Sequence, residues 1–252
     1  VNINKLYPGK VLLEGQGIQP DSEHLVFSAA DITETEGYVR WGWPPEDVYG
    51  LAHWGDLYIT DLKGGSLVRL TRTLYHHDEN PEYSPDGSKI AWTQTQGGVG
   101  EKPDLYLMNA DGSGVRRLTY FHEPGHPEYA PRSAGGNELD WSPDGKQIIF
   151  SLTVKWELKY PHQKTNLYIL TLGEGNGSSY GSPVKSITTV VAERAKTVDW
   201  SHATNKIAFG KWGLDGYVDV LVMNPDGSDE ACLTCDKSGC PQKHNGNPAW
   251  HP

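Results

Sequence analysis

Apolar and polar residues alternate along most of this chain. Leu105 and Leu107 are set against Tyr106 and Met108, and Ile90 and Trp92 flank Ala91. A two-residue period puts successive side chains on opposite faces of an extended strand, and no competing 3.6-residue helical period appears. The alternating runs are punctuated by SPDG at 84–87 and 142–145, NADGSG at 109–114 and NPDGSD at 224–229. Proline presets φ near −65° and glycine accepts positive φ, so these strings predict reverse turns between antiparallel neighbours. The pattern predicts an all-β chain.

The strands repeat as a set. SPDGSKIAW (84–92) returns as SPDGKQIIF (142–150), SHATNKIAF (201–209) and QPDSEHLVF (19–27). Each copy is followed by a second phrase: DLYITDLKGGSLVRLT (56–71), DLYLMNADGSGVRRLT (104–119), NLYILTL (166–172) and DVLVMNPDGSDEACLT (219–234). Every unit therefore reads as four sequential antiparallel strands, A to D, at a period of roughly 50 residues, which is a β-propeller blade. The expected blades span 11–71, 80–119, 137–188 and 196–234, and GNPAWHP at 246–252 repeats strand A of a fifth. Residues 1–252 are expected to form a single propeller domain or a fragment of one, part of a larger ring. A lone fifth strand would be an open edge, which invites pairing. It could be completed by further blades, by a second chain, or by closure beside Val11 to Leu13; further blades are the preferred reading. The dipeptides Asp140-Trp141 and Asp199-Trp200 fall on strand A, the wrong strand for a WD repeat, and read as coincidence.

The string P-x-W-S-P-D-G-K-x-I-A-F, followed by D-I-Y-x-M-N-x-D-G-S-x-x-R-x-L-T, resembles the TolB-type (WD40-like) propeller repeat of exported bacterial proteins, and the likeness covers most of 17–252. The resemblance implies a β-propeller in a periplasmic or secreted setting. It leaves function open, because one scaffold hosts many functions.

Composition narrows the field. The 252 residues hold 22 Lys and Arg against 32 Asp and Glu, a net charge of −10. Without a concentrated basic surface, nucleic acid is a poor partner. No run approaches the length of a membrane-spanning helix. With neither an initiating Met nor a leader, the chain reads as a mature, trimmed product.

Strand order puts the long B-to-C and D-to-A loops on one face, where function tends to sit. His76-His77-Asp78-Glu79 and His122-Glu123-Pro124-Gly125-His126 occupy successive D-to-A loops, expected to converge on the propeller axis. Imidazoles and carboxylates converging there suit a divalent metal such as Zn, Mn or Ca, with His76, His77, His122 and His126 as ligands. A likeness to oligogalacturonide lyases, propellers that hold a metal at this funnel, implies a polysaccharide-lyase reading with Glu123 or Glu128 as base. Solvated loop histidines are the competing reading, and the preferred one.

The insertion at 31–54 carries Tyr38, Arg40, Trp41, Trp43 and Trp54, residue types that anchor protein interfaces. Packing back on its own blade is the alternative. Cys232-x2-Cys235-x4-Cys240-x3-His244 has zinc-knuckle spacing, but a disulfide is preferred in an exported chain, Cys235 to Cys240 ahead of Cys232 to Cys235. Cys232 is expected where the second blade has Arg116. The G-x-S-x-G string at 177–181 lacks the strand and helix that a nucleophile elbow needs. The sequence thus points to an exported TolB-like propeller serving as a non-catalytic recognition or assembly module. It would meet a protein partner or a second copy through the long-loop face or the open blade edge.

Overall fold

The computed structural model describes residues 10–21, 23–31, 55–63, 65–73, 76–96, 103–121, 123–126, 135–155, 164–173, 184–192, 195–212, 218–235 and 248–250. Among them are sixteen strands and no helix. The first sheet contains β1 (Lys10–Ile18), β2 (His24–Asp31), β3 (Asp56–Asp61) and β4 (Leu67–Arg69). β5 (His76–Tyr83), β6 (Lys89–Gln96), β7 (Pro103–Asn109) and β8 (Arg116–Arg117) build the second. The third comprises β9 (Gly135–Trp141), β10 (Gln147–Lys155), β11 (Lys164–Leu172) and β12 (Val184–Ala192); the fourth, β13 (Ala195–Trp200), β14 (Ile207–Trp212), β15 (Val218–Met223) and β16 (Ala231–Cys232). In every sheet the strands are hydrogen-bonded in chain order, the meander of a propeller blade.

The turns explain the regularity. In SPDG the Ser84 hydroxyl donates to Asp86 Oδ1 at 2.6 Å while accepting the Lys89 amide at 3.0 Å, and Gly87 takes φ 69°. Ser142, Asp144, Gln147 and Gly145 repeat the arrangement. Serine hydroxyls and turn amides hold both aspartates below the usual carboxylate range. In the fourth sheet SHATN has no glycine, and Asn205 takes the left-handed position at φ 55°. Asparagine tolerates it better than other non-glycine residues.

The chain divides into two compact units, Val1–Leu118 and Thr119–Pro252. In the first unit, Val26 and Leu57 of the first sheet pack with Tyr83, Ile90, Trp92 and Met108 of the second. In the second unit, Ile149, Leu167 and Ile169 pack with Trp200, Ile207, Phe209 and Met223. Each such fully buried side chain contributes about 1.5–3 kcal/mol. One boundary differs from expectation: His76 to Glu79 are the start of β5, not a loop. Their pairing with Gln96, Thr95, Gln94 and Thr93 extends the strand. No described helix is long and apolar enough to cross a membrane.

Candidate functional site

Because His76 to Glu79 are strand, their side chains alternate: His77 and Glu79 share one side, His76 and Asp78 the other. His77 is buried and its Nδ1 accepts the Gly55 amide at 2.9 Å, with Nε2 3.5 Å from Glu79 Oε2. Asp78 is fully buried and accepts from Thr73 Oγ1 (2.8 Å), Trp92 Nε1 (2.8 Å) and Gln94 Nε2 (2.7 Å). Burial raises the carboxyl pKa of Asp78, and these donors oppose the shift. Its backbone joins the neighbouring blade, the amide donating to the Gly55 carbonyl and the carbonyl accepting the Ser28 hydroxyl. A Cβ at Gly55 would lie 2.4 Å from Ser28 Oγ and 2.8 Å from His77 Nδ1, so this close approach needs glycine. The motif read as metal ligands is here the seam between the first two sheets.

The other described histidines of the expected set have their own surroundings. His76 leaves β5 on the side opposite His77, and its Nδ1 is buried without a hydrogen bond. His126, in the second unit, stacks on Tyr120 at 4.2 Å between centroids, with Nε2 3.7 Å from Glu123 Oε2. His122, Glu128, Tyr38, Arg40, Trp41, Trp43, Trp54, Cys240, His244 and residues 177–181 lie outside the described residues.

The seam between the third and fourth sheets uses the aspartate of the Asp-Trp pairs. Asp140 Oδ2 accepts the Trp200 amide of the next blade, while Oδ1 accepts the Trp141 amide at 2.7 Å. One blade on, Asp199 Oδ2 accepts the Trp250 amide at 2.8 Å, and Trp250 Nε1 donates to the Asp199 carbonyl at 3.1 Å. Residues 248–250 therefore attach to β13 by the latch that attaches β13 to β9. Burial first, and then the neighbouring Asp199 carboxylate, pushes the Asp140 carboxyl up to about 7. Both pairs lie on the first strand of their sheet, as expected, and there their aspartates serve the seam. The recurrence of the pair at the same place in two copies of the repeat was the signal.

A third feature closes the first two blades. Asp56 at the start of β3 pairs with Arg69 at the end of β4, and Asp104 of β7 with Arg117 of β8 at 2.6 Å. The aligned residues of the fourth sheet are Asp219 and Cys232, since the register pairs Tyr58 with Arg69, Tyr106 with Arg117 and Leu221 with Cys232. Cys232 thus replaces Arg117, not Arg116. It is bonded to Cys235, correcting the preferred Cys235–Cys240 pairing. The cause is the tight turn after β16: Leu233 N donates to the Val220 carbonyl and Thr234 Oγ1 to Asp219 Oδ1, bringing the two cysteine Cα atoms to 5.6 Å. That separation is normal for a disulfide.

No family model matches the chain. Tricorn protease homolog 1 of Streptomyces coelicolor is 29% identical over 114 residues, covering 45% of this chain and 9% of that protein. The Tol-Pal system protein TolB of Anaeromyxobacter dehalogenans is 60% identical over 37 residues, 15% of this chain and 8% of TolB. The chain thus aligns with less than a tenth of either relative. Among solved structures, a putative TolB from Agrobacterium tumefaciens superimposes with TM-score 0.55 at 21% identity, over 87% of this chain and 64% of that one. TolB from Acinetobacter baumannii gives 0.52 at 17%, over 89% and 43%. An oligogalacturonate lyase in complex with manganese gives 0.54 at 15%, over 89% and 54%. Four four-stranded meanders and these superpositions define an all-β protein of the β-propeller class. Within that class its repeat is similar in sequence to that of TolB over 37 residues, and its fold superimposes on TolB propellers.

Proposed function

We propose that this TolB-like propeller is an extracytoplasmic, non-catalytic module for protein recognition or assembly. The reading rests most on the consumption of His77 and Asp78 by the first seam. The Nδ1 lone pair of His77 is spent on Gly55, and Asp78 is enclosed by Thr73, Trp92 and Gln94. Neither is poised for proton transfer or for an ion. The disulfide fits an oxidising compartment, as does the TolB likeness. The contact surface belongs to Tyr38, Arg40, Trp41, Trp43 and Trp54, and the partner is another protein or a second copy.

Size-exclusion light scattering over a concentration series, with metal analysis of the same protein, tests the reading. Concentration-dependent mass that a Trp41→Ala, Trp43→Ala variant abolishes is expected, with no stoichiometric transition metal. A monomer at every concentration that retains one equivalent of manganese or zinc, lost in His76→Ala, His126→Ala, would favour the metal-dependent lyase instead.

A further inference from the structure

The blade-closing pair is broken in the fourth sheet. Asp56 receives Arg69, the Thr71 hydroxyl and the Thr73 amide, and Asp104 receives Arg117. Asp219 keeps the threonine, with Thr234 Oγ1 at 2.9 Å, but has no ion pair among the described residues. Where its guanidinium would stand there is a sulfur. Cys232 Sγ, Cys235 Sγ and an Asp219 carboxylate oxygen all lie within 4.8 Å of one another, the one such group of potential metal ligands among the described residues.

We propose that, once the Cys232–Cys235 disulfide is reduced, Cys232, Cys235 and Asp219 form a Zn²⁺ site in which the ion takes the electrostatic place of the missing arginine. Two thiolates ~2.3 Å from a tetrahedral zinc ion stand about 3.8 Å apart, so the bonded sulfurs separate on reduction to admit the ion, and a carboxylate oxygen completes three protein ligands with water as the fourth. Soft sulfur donors select zinc over magnesium or calcium.

A dithiol reductant opens the site. One of its thiolates attacks the exposed Cys235 sulfur, forming a mixed disulfide and releasing the Cys232 thiolate. Its second thiolate then displaces Cys235, leaving the reductant as a disulfide and the protein with two thiols. Zinc binds both as thiolates and two protons pass to solvent. Oxidation and metal binding are therefore mutually exclusive at this blade edge. The exchange is between a covalent staple and an ionic one.

The test is titration of the full chain with Co²⁺, read by thiolate-to-metal charge-transfer absorption, followed by Zn²⁺ competition. Protein reduced with a phosphine is expected to bind one equivalent, and oxidised protein none. Cys235→Ser and Cys232→Arg should each abolish the charge-transfer band, the latter while rebuilding the arginine pair with an undiminished unfolding midpoint. Thr234→Ala, which frees the Asp219 carboxylate from its positioning hydrogen bond, should weaken binding about 10-fold. Cys240→Ser should leave affinity unchanged. Failure of the reduced protein to bind, or binding that survives Cys235→Ser or Asp219→Ala but is lost in Cys240→Ser, overturns the assignment.

Discussion

Two seams in this molecule join the same kinds of strand with different chemistry. Between the first and second sheets, His77 and Asp78 on β5 reach back to Gly55 and Ser28. Between the third and fourth, Asp140 on β9 reaches forward to the Trp200 amide, and Asp199 repeats the reach to Trp250. The repeated strands specify a blade. How one blade grips the next is left to a few side chains that vary from seam to seam. Residues that look reactive in a sequence are thus spent as structural joints.

The largest expected effect is at Asp78. Asp78→Ala strips the acceptor from Trp92 Nε1, Gln94 Nε2 and Thr73 Oγ1, and with ~1–3 kcal/mol for each orphaned buried donor the loss should exceed about 3 kcal/mol by urea unfolding. A loss under about 1 kcal/mol would remove the first seam from the comparison. Gly55→Ala forces a methyl against Ser28 Oγ and His77, at about 1–3 kcal/mol, and Ser28→Ala should recover part of it. Independent, additive effects of the two substitutions would show that the close approach is not made.

The second seam should respond to pH. With its folded pKa raised to about 7 from an ordinary value of 3.8, Asp140 holds a proton in the fold that the unfolded chain has released. Its contribution is therefore full below about pH 4 and is lost as pH rises through 7, at a slope of at most ~1.4 kcal/mol per pH unit. Asp140→Asn retains an acceptor and should flatten the pH profile of stability between 4 and 7. An unchanged slope would mean that Asp140 does not carry it. The smallest effect belongs to His126→Ala. This partly exposed histidine, stacked on Tyr120 and beside Glu123, should cost about 0.5 kcal/mol or less.

Turns and strands were legible in the sequence because their causes are local. Ser84, Asp86 and Gly87 make their turn among themselves, and alternation assigns Ile90 and Trp92 without knowledge of any neighbour. His76 to Glu79 read as a loop because an unbroken polar run shows no alternation; pairing with β6 makes them strand, and only their seam contacts are distant, Gly55 lying 22 residues and Ser28 50 residues from their partners. The Cys232–Cys235 bond depends on a turn whose anchors, Val220 and Asp219, belong to the preceding strand. Asp140 and Asp199 were visible as a repeated pair, but the receiving amide lies one blade further on, at Trp200 and Trp250.

The central claim is that His77 is a joint and not a ligand, and the stability of His77→Ala with and without divalent metal tests it most directly. Unfolding in a chelator should show the variant about 1–3 kcal/mol less stable than the wild type, from the unpaired Gly55 amide and lost packing, with the same difference when Mn²⁺ or Zn²⁺ is added to the oxidised protein. Equal stabilities in the chelator, with a gap that opens only when metal stabilises the wild type, would contradict it.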